Sequence, residues 1–135
     1  MSMKVFLYLF LFIALSFAVN AQKVISITID GTINPAAAGF IERGIKKAEK
    51  EKAGCLLIHL NTPGGLLKST RVIVGNILDA TIPVVVYVSP AGAHAGSAGV
   101  FITLAAHIAA MAPGTNIGAA HPVSCLLYTS PSPRD

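Results

Sequence analysis

A chain of 135 residues, 53% hydrophobic and only 12% charged, has room for one domain built on a core and falls outside the disordered class. Its net charge of +4 and its two cysteines also exclude a strongly basic nucleic-acid binder and a disulfide-stapled scaffold.

The chain opens with a basic residue, Lys4, an apolar run from Val5 to Phe17, and then Ala18-Val19-Asn20-Ala21, with small residues where a signal peptidase reads. Residues 1–21 are therefore expected to be a secretory signal, with Gln22 as the first mature residue and the protein on the extracytoplasmic side of a bacterial membrane. The apolar run is short for a membrane span, and its retention as an uncleaved anchor is the alternative.

Val24 to Ile29 (V-I-S-I-T-I) is rich in β-branched residues and predicts a first strand, ended by Asp30-Gly31-Thr32. Asn34 is an N-cap before Pro35 in the first helical turn, and Ala37, Ile41, Ile45 and Ala48 recur at helical spacing through Glu51, with Gly54 as the stop. Cys55 to Leu60 is a nearly continuous apolar run, as expected of a strand covered on both faces of a parallel sheet. It leads into Asn61-Thr62-Pro63-Gly64-Gly65. A second helix is predicted from Leu67 to Ala80 with Val74, Ile77 and Leu78 inward, and Pro83 to Val88 predicts another buried strand. After a loop through Ser97, a third helix runs from Gly99 to Ala106, followed by a short strand over His107 to Met111 and a turn at Pro113-Gly114.

Strand and helix thus alternate, which specifies an α/β architecture of parallel strands with crossover helices. The last eleven residues, Cys125 to Asp135, follow a glycine- and alanine-rich run and carry no periodic pattern. Back-translated with ordinary codons they look like a sequencing adapter read in frame, so they are expected to be a non-native tail on a chain that naturally continues past Ser124. A flexible native tail is the alternative. Setting aside Lys4, Arg134 and Asp135, the ten basic and six acidic residues become eight against five, mostly of mixed sign between Glu42 and Lys52, as on a solvated helix face.

In such folds, sites lie beyond the carboxyl ends of the strands, which selects Asp30 to Ile33, Asn61 to Gly65, and Ser89 to Ser97. The last contains A-H-A-G-S-A-G-V (93–100), where small residues flank Ser97 and leave its hydroxyl uncovered, as a serine nucleophile requires. A packing turn of small residues is the plainer reading of this stretch alone. Acyl transfer also needs donors for a developing oxyanion, and the amides of Gly65 and Ala98 suit that role in geometry. A tight turn after a strand is the plainer reading of Gly64-Gly65.

Four stretches taken together, I-D-G-T-I (29–33), L-N-T-P-G-G (60–65), P-V-V-V-Y-V-S-P-A-G-A-H-A-G-S-A-G (83–99) and M-A-P-G-T-N-I-G-A-A-H-P (111–122), resemble the NfeD family of membrane-bound serine proteases of the Clp-protease class. The resemblance covers Val24 to Val123. It implies a ClpP/crotonase-like fold of strand-strand-helix units, incomplete at the C-terminus, with Ser97 as nucleophile and Gly64, Gly65 and Ala98 at the oxyanion hole. It also implies a Ser-Lys dyad whose lysine lies beyond this chain, so residues 22–124 are expected to be the N-terminal part of a peptidase domain and inactive by themselves. The substrates it implies are apolar segments of membrane-associated proteins, with a stomatin-like partner, membrane attachment through C-terminal segments, and a homodimer as the default assembly.

His121 stands before a proline much as a triad histidine does in soluble Clp proteases, so it is a second candidate base as well as a cleft-lining residue, and His94 is a candidate for the cleft. His59 and His107 are read as structural. No metal-ligand spacing joins the four histidines, and neither metal, cofactor nor nucleic acid is expected. Two other readings keep the fold: a crotonase-like acyl-CoA enzyme, disfavoured by the export signal, and a non-catalytic membrane scaffold in which Ser97 is replaceable.

Overall fold

Alternating burial along the strands shows how the sheet is built. In a computed structural model, which describes Met3 and residues 22–120, β1 (Val24–Asp30), β2 (Cys55–Asn61), β3 (Val84–Val88) and β5 (Ile108–Met111) form one parallel sheet in the order β1-β2-β3-β5. The signal assigned to residues 1–21, apart from Met3, and the tail assigned to residues 125–135 lie outside the described residues. Every pairing is parallel and in order along the chain, with Ile27 opposite Ile58, Ile58 opposite Val86, and Val86 opposite Ala109.

The helices cover one face of this sheet. Asn34 caps α1 (Pro35–Lys50) by accepting the Ala37 amide on its side chain at 2.9 Å, as its position before Pro35 predicts. Ile41, Ile45 and Ala48 on α1 pack toward Leu56, Ile58 and Leu60 of β2, all buried. Helix α2 (Leu67–Leu78) lies beside α1 and packs in turn on α3 (Ala98–Ala105). The left-handed residue that releases the chain after α1 is Lys52 (φ 50), upstream of the predicted Gly54. Glu49 latches this corner to the α2–β3 loop, accepting both the amide and the hydroxyl of Thr81 at 2.8 Å. Those hydrogen bonds hold its carboxyl below the usual glutamate range, so the latch stabilises the folded state at neutral pH and is lost as pH falls through the lowered value.

Two expectations are corrected here. Leu78 is 64% exposed, and the inward positions of α2 are Ile73 and Ile77 together with Ser69 and Thr70. The four-residue spacing of Ile73 and Ile77 is the helical stripe, and Leu78 falls one residue, about 100°, past it. Ile77→Ala is therefore expected to destabilise the domain by about 2–5 kcal/mol, and Leu78→Ala by less than about 0.5 kcal/mol, in denaturant melts.

The second correction concerns β2 and β3, which are covered on one face only among the described residues. Leu56, Ile58 and Leu60 are buried while Leu57, His59 and Val85, Tyr87 are half-exposed on the face away from the helices. Their largely apolar composition hides the alternation, because Leu57 and Val85 stand at outward positions where a one-sided sheet would carry polar residues. This open face includes a hollow of about 630 Å³ in which His59 Nδ1 lies 2.8 Å from Ser89 Oγ and the His59 ring meets Tyr87 edge-on. The other histidine read as structural, His107, directly precedes β5, its Nδ1 accepting the Val84 amide at 3.2 Å.

The structure adds a second, two-stranded sheet that the sequence does not predict. β4 (His94–Gly96) and β6 (Asn116–Gly118) pair in parallel, Ala95 opposite Ile117, and Thr62 bridges to Ala95. Three-residue strands of His, Ala, Gly, Asn and Ile carry no readable period. They exist because long-range pairing supplies the hydrogen bonds that local propensity does not.

Candidate functional site

The ends of β1, β2 and β3 converge on the short β4–β6 sheet, and their loops are knitted by backbone and side-chain amides. The Asn61 side chain donates to Asp30 Oδ1 at 2.9 Å and accepts the His94 amide at 2.9 Å, while its backbone carbonyl takes the Gly31 amide at 2.9 Å. Thr62 continues the seam: its amide donates to His94 O at 2.7 Å and its carbonyl accepts the Gly96 amide at 2.9 Å. All three loops selected from the sequence therefore meet at one place.

Ser97 stands between β4 and α3 as the cap residue of the helix, half-buried, with φ 47 and ψ −103. A non-glycine residue in that region is strained by about 1–3 kcal/mol, a cost typical of turns that expose a nucleophile between a strand and a helix. Its amide is spent on Gly118 O at 2.8 Å, so β6 anchors the turn from behind. Small neighbours are needed for contact reasons. A Cβ on Gly99 would stand 2.8 Å from Thr62 Cγ2 and 3.2 Å from Ala95 Cβ, so α3 starts in direct contact with the seam.

Gly64 and Gly65 face this serine from the end of β2. Gly64 (φ 127) is buried with its bare Cα toward Ser97: a Cβ there would lie 2.8 Å from Ser97 Cβ and 3.4 Å from Oγ. Gly65 (φ 159) pairs with Ile33, and a Cβ there would lie 2.6 Å from Ile33 N and 2.7 Å from its carbonyl carbon. The Gly64 amide donates to Thr62 Oγ1 at 3.1 Å. The amides of Gly65 and Ala98 have no acceptor among the described residues. Both suit a developing negative charge, Ala98 because it opens the N-terminus of α3.

His94 is close to the site but committed. Its ring lies against Gly96, and its Nδ1 meets Asn116 Oδ1. No described side chain hydrogen-bonds the Ser97 hydroxyl, the six described lysines (23, 46, 47, 50, 52 and 68) all precede Ser97, and His121 lies outside the described residues. Nor is there, among the described residues, a group of three or more His, Cys, Asp or Glu that could hold a metal. Sequence reasoning missed Asn61, Thr62 and Asn116. The only signal was an Asn-Thr pair directly before Pro-Gly-Gly, the residue types that hydrogen-bond nearby backbone.

The NfeD1b N-terminal domain family matches residues 23–125, a span that contains every one of these elements. The chain belongs to that family. It is 38% identical over 121 residues to the membrane-bound protease PH1510 of Pyrococcus horikoshii, a match covering 89% of this chain and 27% of that protein. A solved mutant of the 1510-N membrane-bound stomatin-specific protease in complex with a substrate peptide superposes with a TM-score of 0.75 at 41% identity, covering 78% of this chain and 48% of that one. A ClpP1 mutant from Listeria monocytogenes superposes with a TM-score of 0.62 at 24% identity over 68% of this chain and 53% of the other, which shows the ClpP-like fold and nothing more. The NfeD resemblance and the ClpP-like α/β fold expected from the motifs are both borne out. The chain thus spans about a quarter of its curated relative and about half of the solved protease domain. Its NfeD relatives include proteases named as membrane-bound; among the described residues here, no helix is long and apolar enough to cross a membrane.

Proposed function

We propose that residues 22–124 are the N-terminal part of the peptidase domain of an exported, membrane-associated serine endopeptidase. Ser97 is its nucleophile, and the amides of Gly65 and Ala98 form the oxyanion hole, with Gly64 shaping the wall between them. The observation that carries this reading is the strained backbone of Ser97, φ 47 and ψ −103, set at the head of α3 opposite the bare Cα of Gly64. Neither a crotonase-like acyl-CoA enzyme nor a non-catalytic scaffold gives a reason to hold a serine in that conformation.

The general base is a lysine contributed by sequence beyond this chain, so residues 22–124 are inactive by themselves, while His94 and His121 line the cleft. Substrates are apolar segments of membrane-associated proteins, a stomatin-like protein among them, as the names of the relatives suggest. Exposed Leu66 and Leu67, directly after Gly65, and Ile117, in the middle of β6, provide apolar surface for such a segment. Cleavage proceeds with the lysine taking the Ser97 proton, Oγ adding to the scissile carbonyl, and the two amides holding the oxyanion. The amine then leaves with a proton and water releases the acyl group.

The test is fluorophosphonate labelling and peptide cleavage by the full-length parent. Labelling that survives Ser97→Ala, or a parent that neither labels nor cleaves apolar peptides, overturns the reading. Gly64→Ala is expected to lower kcat on the order of 10²-fold, because the new methyl displaces the serine it faces.

A further inference from the structure

The Thr62 hydroxyl is doubly engaged on a single residue. It accepts the Gly64 amide at 3.1 Å and donates to the Gly64 carbonyl at 3.1 Å. The same carbonyl also accepts the Ile33 amide at 2.8 Å. Thr62 is fully buried, so no solvent competes for these bonds.

Peptide planarity turns this pair of bonds into an orientation. Gly64 C=O and Gly65 N–H belong to one trans peptide unit and point in opposite directions. Tying the carbonyl back to Thr62 and Ile33 therefore aims the Gly65 amide away from them, into the exposed side of the turn, where it has no acceptor among the described residues. A glycine-glycine peptide flips readily, since both residues tolerate either sign of φ. A flipped peptide would offer a carbonyl oxygen where a donor is needed.

We propose that Thr62 is a positioning residue of the oxyanion hole: its hydroxyl locks the Gly64–Gly65 peptide in the orientation that offers the Gly65 amide to the acyl oxygen. This rests on the peptidase reading above. Thr62 does not touch substrate. It acts through Gly64, and its methyl, packed on the first turn of α3, keeps the same seam against the nucleophile.

The test compares Thr62→Val and Thr62→Ser in the full-length parent. Valine keeps the branched shape and removes the hydroxyl; serine keeps the hydroxyl and drops the methyl. Thr62→Val is expected to lower kcat by about 30- to 300-fold with KM changed less than about 3-fold, close to the loss of one oxyanion donor. Affinity for a peptide aldehyde, which forms a tetrahedral adduct, is expected to fall in parallel with kcat, and Thr62→Ser is expected to restore most of both. If Thr62→Val does not fold, Thr62→Ala removes the same bonds without a tight fit and is read the same way. Full kcat in the hydroxyl-less variant, a change confined to KM, or damage in Thr62→Ser equal to that in Thr62→Val overturns the proposal. If the unmodified parent shows no Ser97-dependent labelling, the peptidase reading fails first; if it labels and Thr62→Val labels equally fast, only the role of Thr62 fails.

Discussion

Ser97→Ala in the parent protein is expected to abolish fluorophosphonate labelling and to lower peptide hydrolysis by at least about 10³-fold, the scale on which serine hydrolases lose rate without their nucleophile. Stability separates this loss from damage to the fold. Alanine keeps a Cβ at φ 47 and ψ −103 and so keeps the strain, whereas glycine relieves it. Ser97→Gly is thus expected to be as inactive as Ser97→Ala yet more stable by about 1 kcal/mol, the strain relief outweighing glycine's extra unfolded-state entropy. Paired thermal melts check this. Equal midpoints for the two variants would mean that the strain relieved is no larger than glycine's unfolded-state entropy cost.

The second large effect lies at Gly65. A methyl there has nowhere to go: it would stand 2.6 Å from Ile33 N and 2.7 Å from the Ile33 carbonyl carbon, atoms of a fully buried residue. To admit it, the turn must break the bonds Ile33 N–H to Gly64 O at 2.8 Å and Leu66 N–H to Ile33 O at 2.9 Å, the bridge between the β1 loop and the start of α2. Gly65→Ala is expected to cost about 3 kcal/mol or more and to remove activity with it. Gly75→Ala supplies the contrast. That glycine lies within α2 with nothing within 4 Å of a new Cβ, so the substitution is expected to stabilise by about 0.5–1 kcal/mol. Denaturant melts of the two variants, moving in opposite directions, would attribute the first loss to contact rather than to alanine as such.

Particular residues show how much was legible. Asn34 before Pro35 reads as a cap because the side-chain acceptor and the fixed proline φ act locally, and the cap forms as read. The inward face of α2 was misjudged at Leu78, since hydrophobicity says that a residue can be buried and only the neighbouring helices say which residues are. Ser97 was legible as a candidate through its small neighbours, but its strained dihedrals were not, because the anchoring bond to Gly118 comes from a strand distant in sequence. The same holds for Asn61 and Thr62. A polar pair before Pro-Gly-Gly announces a turn without saying what it holds.

The sequence by itself determined the order of the three helices and of the four strands of the main sheet, their parallel pairing, and the loops in which chemistry could lie. Those follow from local periodicity, caps and glycine punctuation, and from the rule that parallel strands bring their carboxyl ends to one edge. Only the tertiary structure decided which peptide groups in those loops are tied and which are left open. The Gly64 amide is consumed by Thr62, that of Ser97 by Gly118, and those of Gly65 and Ala98 remain without acceptors among the described residues. A backbone donor is identical at every non-proline residue, so its availability is set by long-range partners and cannot be written in residue identity.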